Sequence, residues 1–200
     1  MRNFTCKALG ILGTFLFSAF FAGTTPGNAL AADTDMQKKP LIAYFSISGH
    51  TKAIASDIQA YTGGELLQIE PEDQYPSEYQ SLVDLAKKQQ NDNARPKVKT
   101  RIENPDQYNV IFLGYPNWWS SMPMPVYTFI EDNGLNGKTI IPFCTHGGGG
   151  LGHSIQDLQK LCPNSKILKA FSISGNRAND ASSAVKSWLE SLGPEIRLAK

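Results

Sequence analysis

The chain has 200 residues, 41% hydrophobic and 18% charged, with 19 basic against 18 acidic side chains. A formal charge of +1 with no basic run excludes nucleic acid as an evident partner and gives no sign of an acidic substrate. Once the amino-terminal segment is set aside, about 170 residues remain, enough for one domain with a sizeable core.

Arg2 and Lys7 lead into an apolar stretch from Ala8 to Ala22, and Ala29-Leu30-Ala31 follows with an A-x-A pattern. That order predicts a cleaved export signal over residues 1–31, cut after Ala31, and so a periplasmic or secreted protein. The stretch is shorter than the ~20 apolar residues of a membrane span, and no later segment reaches that length. No stable membrane span is therefore expected after cleavage. Cys6 precedes the apolar region, so it is not placed as a lipid anchor, and no Arg-Arg pair marks a twin-arginine route. Without Arg2 and Lys7, 17 basic residues face 18 acids, a net charge of about −1.

A polar lead over residues 32–39 precedes one domain over residues 40–200, in which strand and helix patterns alternate. Residues 41–45 read as a first strand and 51–61 as a first helix, stopped by Gly63-Gly64. A second strand is expected at 66–70. Ser77 and Gln80 form an S-x-x-Q capping box opening a helix to about Gln90, with Tyr79, Leu82, Val83, Leu85 and Ala86 as its apolar stripe. Residues 91–107 are polar and proline-punctuated, a surface connection. Strands follow at 110–114, 139–145 and 167–173, and helices at 126–132, 154–161 and 181–192. Five strands alternating with helices imply right-handed crossovers and a mostly parallel sheet covered on both faces. The doubly wound order 2-1-3-4-5 puts the ligand crevice beyond the strands' C-terminal ends. Cys144 then ends a strand while Cys162 ends the helix running back. About ten helical residues separate them by ~15 Å, beyond the ~7 Å reach of bridged Cα atoms. Two buried thiols are expected rather than a disulfide.

Three loops on that rim carry chemistry. After the first strand come Ser46, Ile47, Ser48, Gly49, His50 and Thr51, passing straight into a helix. Hydroxyls, a glycine and a helix N-terminus together suit a phosphate monoester. A bare S-x-S-G-x-T fits an ordinary Ser/Gly turn capped by Thr51 equally well. The segment Phe45-Ser46-Ile47-Ser48-Gly49 recurs as Phe171-Ser172-Ile173-Ser174-Gly175, but the flanks differ. We read two similar strand-to-loop solutions rather than a duplication, the first copy being the better phosphate cradle because its helix starts at once.

After the third strand, Tyr115, Pro116, Asn117, Trp118 and Trp119 open a proline-rigid loop that makes a flat wall for a planar ring. Packing of either tryptophan onto the protein body is the competing reading. After the fourth strand, His146, Gly147, Gly148, Gly149 and Gly150 form a loop whose glycines are costly to order. Close approach of backbone to a ligand explains them. Together the three loops describe a site for a phosphorylated planar heterocycle, and without a G-x-G-x-x-G a mononucleotide suits it better than a dinucleotide.

Four motifs carry a resemblance: Y-F-S-x-S-G-x-T at residues 44–51, E-P-x-x-x-Y-P at 70–76, G-Y-P-x-W-W-x-x-M-P-M-P at 114–125 and P-F-C-T-H-G-G-x-G at 142–150. The chain resembles the bacterial flavodoxin-like family over essentially the whole expected mature length. The resemblance implies a flavodoxin-like α/β fold with FMN as cofactor. Its phosphate would lie at residues 46–51 and its isoalloxazine between residues 115–119 and 146–150. His50 stands where related sequences often carry Asn.

The cofactor would then carry the redox step, with no catalytic side chain of the protein to name. His50, His146 and His153 all fall on the expected rim loops. His146 is the candidate for influencing ring protonation, against a plain role in fixing its glycine loop. No further ligands accompany His146 and His153, so no metal site is expected. Three readings stay open: an FMN-dependent oxidoreductase acting on quinone-like small acceptors, a one-electron carrier docking to a redox partner protein, and a flavin-binding module without turnover. A charge near zero weighs against the carrier. The resemblance also allows a homodimer, and no pyridine-nucleotide site is visible.

Overall fold

The structure, a computed structural model, describes residues 39–193 and 196. The expected signal segment and residues 32–38 of the polar lead lie outside the described residues. Six parallel strands, β1 (Leu41–Tyr44), β2 (Glu65–Gln68), β3 (Val110–Pro116), β4 (Thr139–His146), β5 (Lys166–Ile167) and β6 (Phe171–Ser174), alternate with helices. These are α1 (His50–Thr62), α2 (Tyr79–Asn91), α3 (Met124–Asp132), α4 (Ser154–Leu161) and α5 (Ser182–Ser191). The sheet order is β2-β1-β3-β4-β5, with β6 also paired to β4, the expected doubly wound arrangement.

The two-residue period of the strands divides the core. Leu41, Ala43 and Phe45 of the first strand segment pack on one face with Ile111, Leu113, Phe129 and Leu158. Ile42 and Tyr44 point to the other face, against Ile54, Ile58, Phe112 and Trp188. Every residue of β1 is buried, which is why the run reads as continuously apolar. α1 buries Ile54, Ala55 and Ile58 on one stripe and ends at Gly63, whose left-handed backbone lets its N–H bond Gln59 O.

Several elements differ from the sequence reading. The single last strand expected at 167–173 is two pieces. β5 pairs Ile167 with Ile140, and β6 pairs Phe171 with Phe143. Three residues of this edge therefore oppose two of β4, a bulge. One of those two, Pro142, has no N–H to offer a ladder. The carbonyl of Lys169 within the bulge accepts instead from Trp188 Nε1 at 2.9 Å.

The cap of α2 is Glu78 rather than Ser77. Its carboxylate accepts from the Gln80 and Ser81 amides at 2.8 and 2.6 Å, and a carboxylate at a helix N-terminus also meets the positive end of the dipole. The connection over 91–107 is only partly a surface element. Val98 and Ile102 are buried, and Lys99 N bonds Glu70 O while Glu72 N bonds Lys97 O, lacing the segment onto the chain after β2. Cys144 and Cys162 are buried and unbridged, as expected from their separation. Among the described residues no helix is long and apolar enough to cross a membrane.

Candidate functional site

The C-terminal ends of β1, β3, β4 and β6 open onto a cleft of about 640 Å³. In the first loop, Gly49 takes φ 87°, a conformation that a side chain would strain, and from there the chain turns into α1. The three hydroxyls have different roles. Ser48 lines the cleft, with Oγ 3.2 Å from His50 Nδ1, and His50 lines it too. Ser46 Oγ accepts from Lys52 N at 3.4 Å, tying the loop to its own helix. Thr51 is buried, its Oγ1 2.9 Å from Thr145 Oγ1, so it fastens α1 to the end of β4 instead of facing a ligand. Ile47 is exposed at 47%.

In the second loop Tyr115 belongs to the core, not to the aromatic wall. β3 runs two residues further than the sequence pattern suggests, and alternation sends this side chain inward. Its hydroxyl donates to Ser154 Oγ at 2.9 Å, and burial pushes the phenol well above its ordinary range. Pro116, Asn117, Trp118 and Trp119 do line the cleft. Trp118 is half-buried and stacks edge-on against Phe45 at 5.4 Å and obliquely against Tyr75 at 5.6 Å, so it both packs the loop and walls the cleft.

Trp119 is more exposed, at 44%. It and Ser120 take φ 50° and 67° between Trp118 and Ser121, which exchange backbone bonds of 2.9 and 3.1 Å. Two positive φ values inside such a closed pair make a type I′ turn, usually built from Asn-Gly. Left-handed backbone at each non-glycine residue costs about 1–3 kcal/mol and persists only where neighbours enforce it. Trp119 Nε1 donates to Val83 O at 3.1 Å, Gln90 Nε2 donates to Trp119 O at 3.0 Å, and Lys87 Nζ stands 4.7 Å from the indole centroid. On the other side His153 N donates to Ser120 O at 2.8 Å. Gly152 makes that approach possible, since a Cβ there would lie 2.1 Å from Ser120 O.

In the third loop His146 and Gly147 line the cleft. The next glycines do not. Gly148 N donates to His146 Nδ1 at 3.0 Å, Gly149 lies against the Asn117 amide, and Asn117 Nδ2 donates to Gly150 O at 2.7 Å. Gly149 and Gly150 thus lie against Asn117, and Gly148 is tied to His146, which together fix the loop. Among the described residues nothing comes within 4 Å of a Cβ built on Gly147. His153, expected on the rim, points elsewhere, its Nδ1 2.6 Å from Asp157 Oδ2. Burial would raise the Asp157 carboxyl, but hydrogen bonds from Ser121, Tyr127 and His153 outweigh it and hold the group below its ordinary range.

Two walls escaped the sequence reading. Tyr79, Leu82, Val83 and Ala86, of the apolar stripe on α2, turn toward the cleft, and only Ala86 of the four is buried. Leu82 and Val83 are half-covered and Tyr79 is 76% exposed, so α2 is a side wall. Ser174 and Gly175, from the second F-S-I-S-G copy, and Asn176 after it line the same cleft as Ser48 and His50. The two copies meet there, a Cβ on Gly175 falling 2.6 Å from His50 Nδ1. The repeat was the signal that could have found this wall. Among the described residues lining the cleft none carries a carboxylate, while two are histidines.

The flavodoxin family profile matches residues 39–192. The crystal structure of a candidate flavoprotein from Bacteroides eggerthii is 34% identical, with 77% of this chain and 97% of that one covered at a TM-score of 0.68. Another from Bacteroides uniformis is 27% identical, with 76% and 97% covered at 0.67. A flavoprotein from Lactobacillus acidophilus in complex with FMN shares the fold at 21% identity, with 72% and 97% covered and a TM-score of 0.58. No protein of curated function matches. With the profile spanning most of the chain and the doubly wound sheet in place, the chain belongs to the flavodoxin family.

Proposed function

We propose that the protein binds FMN in this cleft and is an extracytoplasmic oxidoreductase that passes electrons to small planar acceptors such as quinones. The convergence of a hydroxyl-and-histidine loop, two indoles and a bare glycine edge on one carboxylate-free cleft carries the reading. An anionic mononucleotide meets no like charge there. Ser48 and His50 would hold the phosphate end, with Ser174 and Asn176 beside them. Trp118 and Trp119 would flank the ring, and Gly147, with open space over its Cα, would let the backbone approach its edge. When bound, FMN supplies one- and two-electron chemistry; the protein sets access and orientation.

The apolar wall of Leu82, Val83 and Ala86, with Tyr79 at its exposed end, supports an uncharged aromatic acceptor over a charged one. The apolar stretch and A-x-A pattern near the amino terminus support action outside the cytoplasm. The test is the visible spectrum of protein purified from its export compartment, followed by anaerobic addition of NADH or NADPH and a quinone panel. Flavin bands that bleach with the nicotinamide and return with quinone are expected. Colourless protein that stays colourless with added FMN would refute the cofactor assignment, and bound flavin inert to every donor and quinone would refute the oxidoreductase reading.

A further inference from the structure

We propose that Asp157 is a positioning residue for the cleft: from outside it, the carboxylate holds the strained turn that presents Trp119. The inference rests on the FMN reading above. Asp157 does not line the cleft; it borders a separate depression of about 330 Å³, shared with Gln90, Tyr127 and Lys160. One oxygen, Oδ2, accepts from three parts of the chain. These are Ser121 Oγ at 2.6 Å, Tyr127 OH at 2.8 Å and His153 Nδ1 at 2.6 Å. The two hydroxyl oxygens themselves stand 2.8 Å apart, so they converge tightly on the acceptor.

Each of those donors is tied to the turn. Ser121 closes it through its paired backbone bonds with Trp118. His153 grips it a second time, its main-chain N–H bonding Ser120 O while its ring bonds Asp157. Tyr127 anchors the carboxylate to α3, and Arg95 lies over its ring, 5.3 Å from the centroid, while pairing with Glu131. Lys160 Nζ reaches the other oxygen, Oδ1, at 3.5 Å. From the same depression Gln90 Nε2 binds Trp119 O. A turn with left-handed Trp119 and Ser120 relaxes unless held, so the ligand-facing indole depends on a carboxylate that never meets the ligand.

The test is a double-mutant cycle read by quenching of flavin fluorescence on FMN titration, with near-ultraviolet circular dichroism of the ligand-free proteins as a second readout. Asp157→Asn should weaken FMN binding roughly tenfold and diminish the ordered tryptophan signal that Trp119→Ala also removes. In the Trp119→Ala background the same change should alter affinity by less than about twofold, because the residue it positions is gone. Ser121→Ala, which deletes one donor, replaces Asp157→Asn in the cycle if the latter does not fold. Wild-type affinity and an unchanged tryptophan signal in the variant would overturn the proposal. So would an equal penalty in both backgrounds, the mark of a general structural role. Failure of the unaltered protein to quench flavin would instead defeat the FMN reading, and this inference with it.

Discussion

At the scale of single residues, the cleft combines side chains that pack with side chains left open. Trp119 holds φ 50° with its indole tied to Val83 O, half exposed at the cleft wall. Trp119→Gly removes the strain and the wall together. FMN affinity should fall about tenfold, consistent with loss of one aromatic contact and its buried area, while the ligand-free protein keeps its melting temperature within a few degrees. Gly147 is the sharper probe of fit. No atom of the described residues opposes a Cβ there, so Gly147→Val should leave thermal stability unchanged and sharply reduce FMN binding. A melting curve and a flavin titration on the same preparation check both halves. Equal binding by Gly147→Val would mean that no ligand approaches that edge.

At the scale of elements, capping and edge chemistry explain where sequence pattern succeeded and where it stopped. Glu78 caps α2 through Gln80 and Ser81, and those hydrogen bonds, the Ser81 contacts foremost, hold its carboxyl below the ordinary range. A group with a depressed folded pKa stabilises above its unfolded pKa, and the effect is lost as pH falls through the folded value. Glu78→Ala should therefore lower the melting temperature at neutral pH, with the gap to the unaltered protein closing under acid conditions. A gap that persists unchanged to strongly acidic pH would contradict the cap.

Buried strands such as β1, β3 and β4 were legible because both faces are covered. The break between β5 and β6 was not legible, since Leu168 to Ala170 contains no glycine or proline and the cause lies in Pro142 of the neighbouring strand. The three loops fall at the strand ends that the pattern gave, and Ser48, His50, Trp118, Trp119 and His146 line the cleft, yet the direction of other side chains was not legible. Tyr115 and Thr51 turn inward because β3 runs on through Tyr115 to Pro116 and α1 is fastened to β4, facts of tertiary placement. The stripe on α2 has the same spacing whether it faces core or cleft. The F-S-I-S-G repeat read as two similar strand-to-loop solutions, and only the meeting of the two loops at the cleft, with β3 and β4 between their strands, gives it meaning.

At the scale of the whole molecule, two cores flank one sheet, and the C-terminal strand ends converge on one rim. Cys144 and Cys162 lie in the first of those cores, and burial pushes the Cys144 thiol up to about 12. Neither should react with a thiol reagent in the native protein, and both should react after unfolding, as peptide mapping by mass spectrometry would read. Labelling of Cys144 in the folded state would contradict its burial in that core. An unaltered melting temperature with and without reductant is expected as well, since neither Cys144 nor Cys162 is bridged.

The most direct measurement is a titration of the purified protein with FMN, followed by flavin fluorescence under equilibrium conditions. Saturable quenching with one FMN bound per chain, weakened by both Trp119→Gly and Gly147→Val, is the expected result. Flavin fluorescence that stays unquenched at saturating protein would contradict the assignment of the cleft.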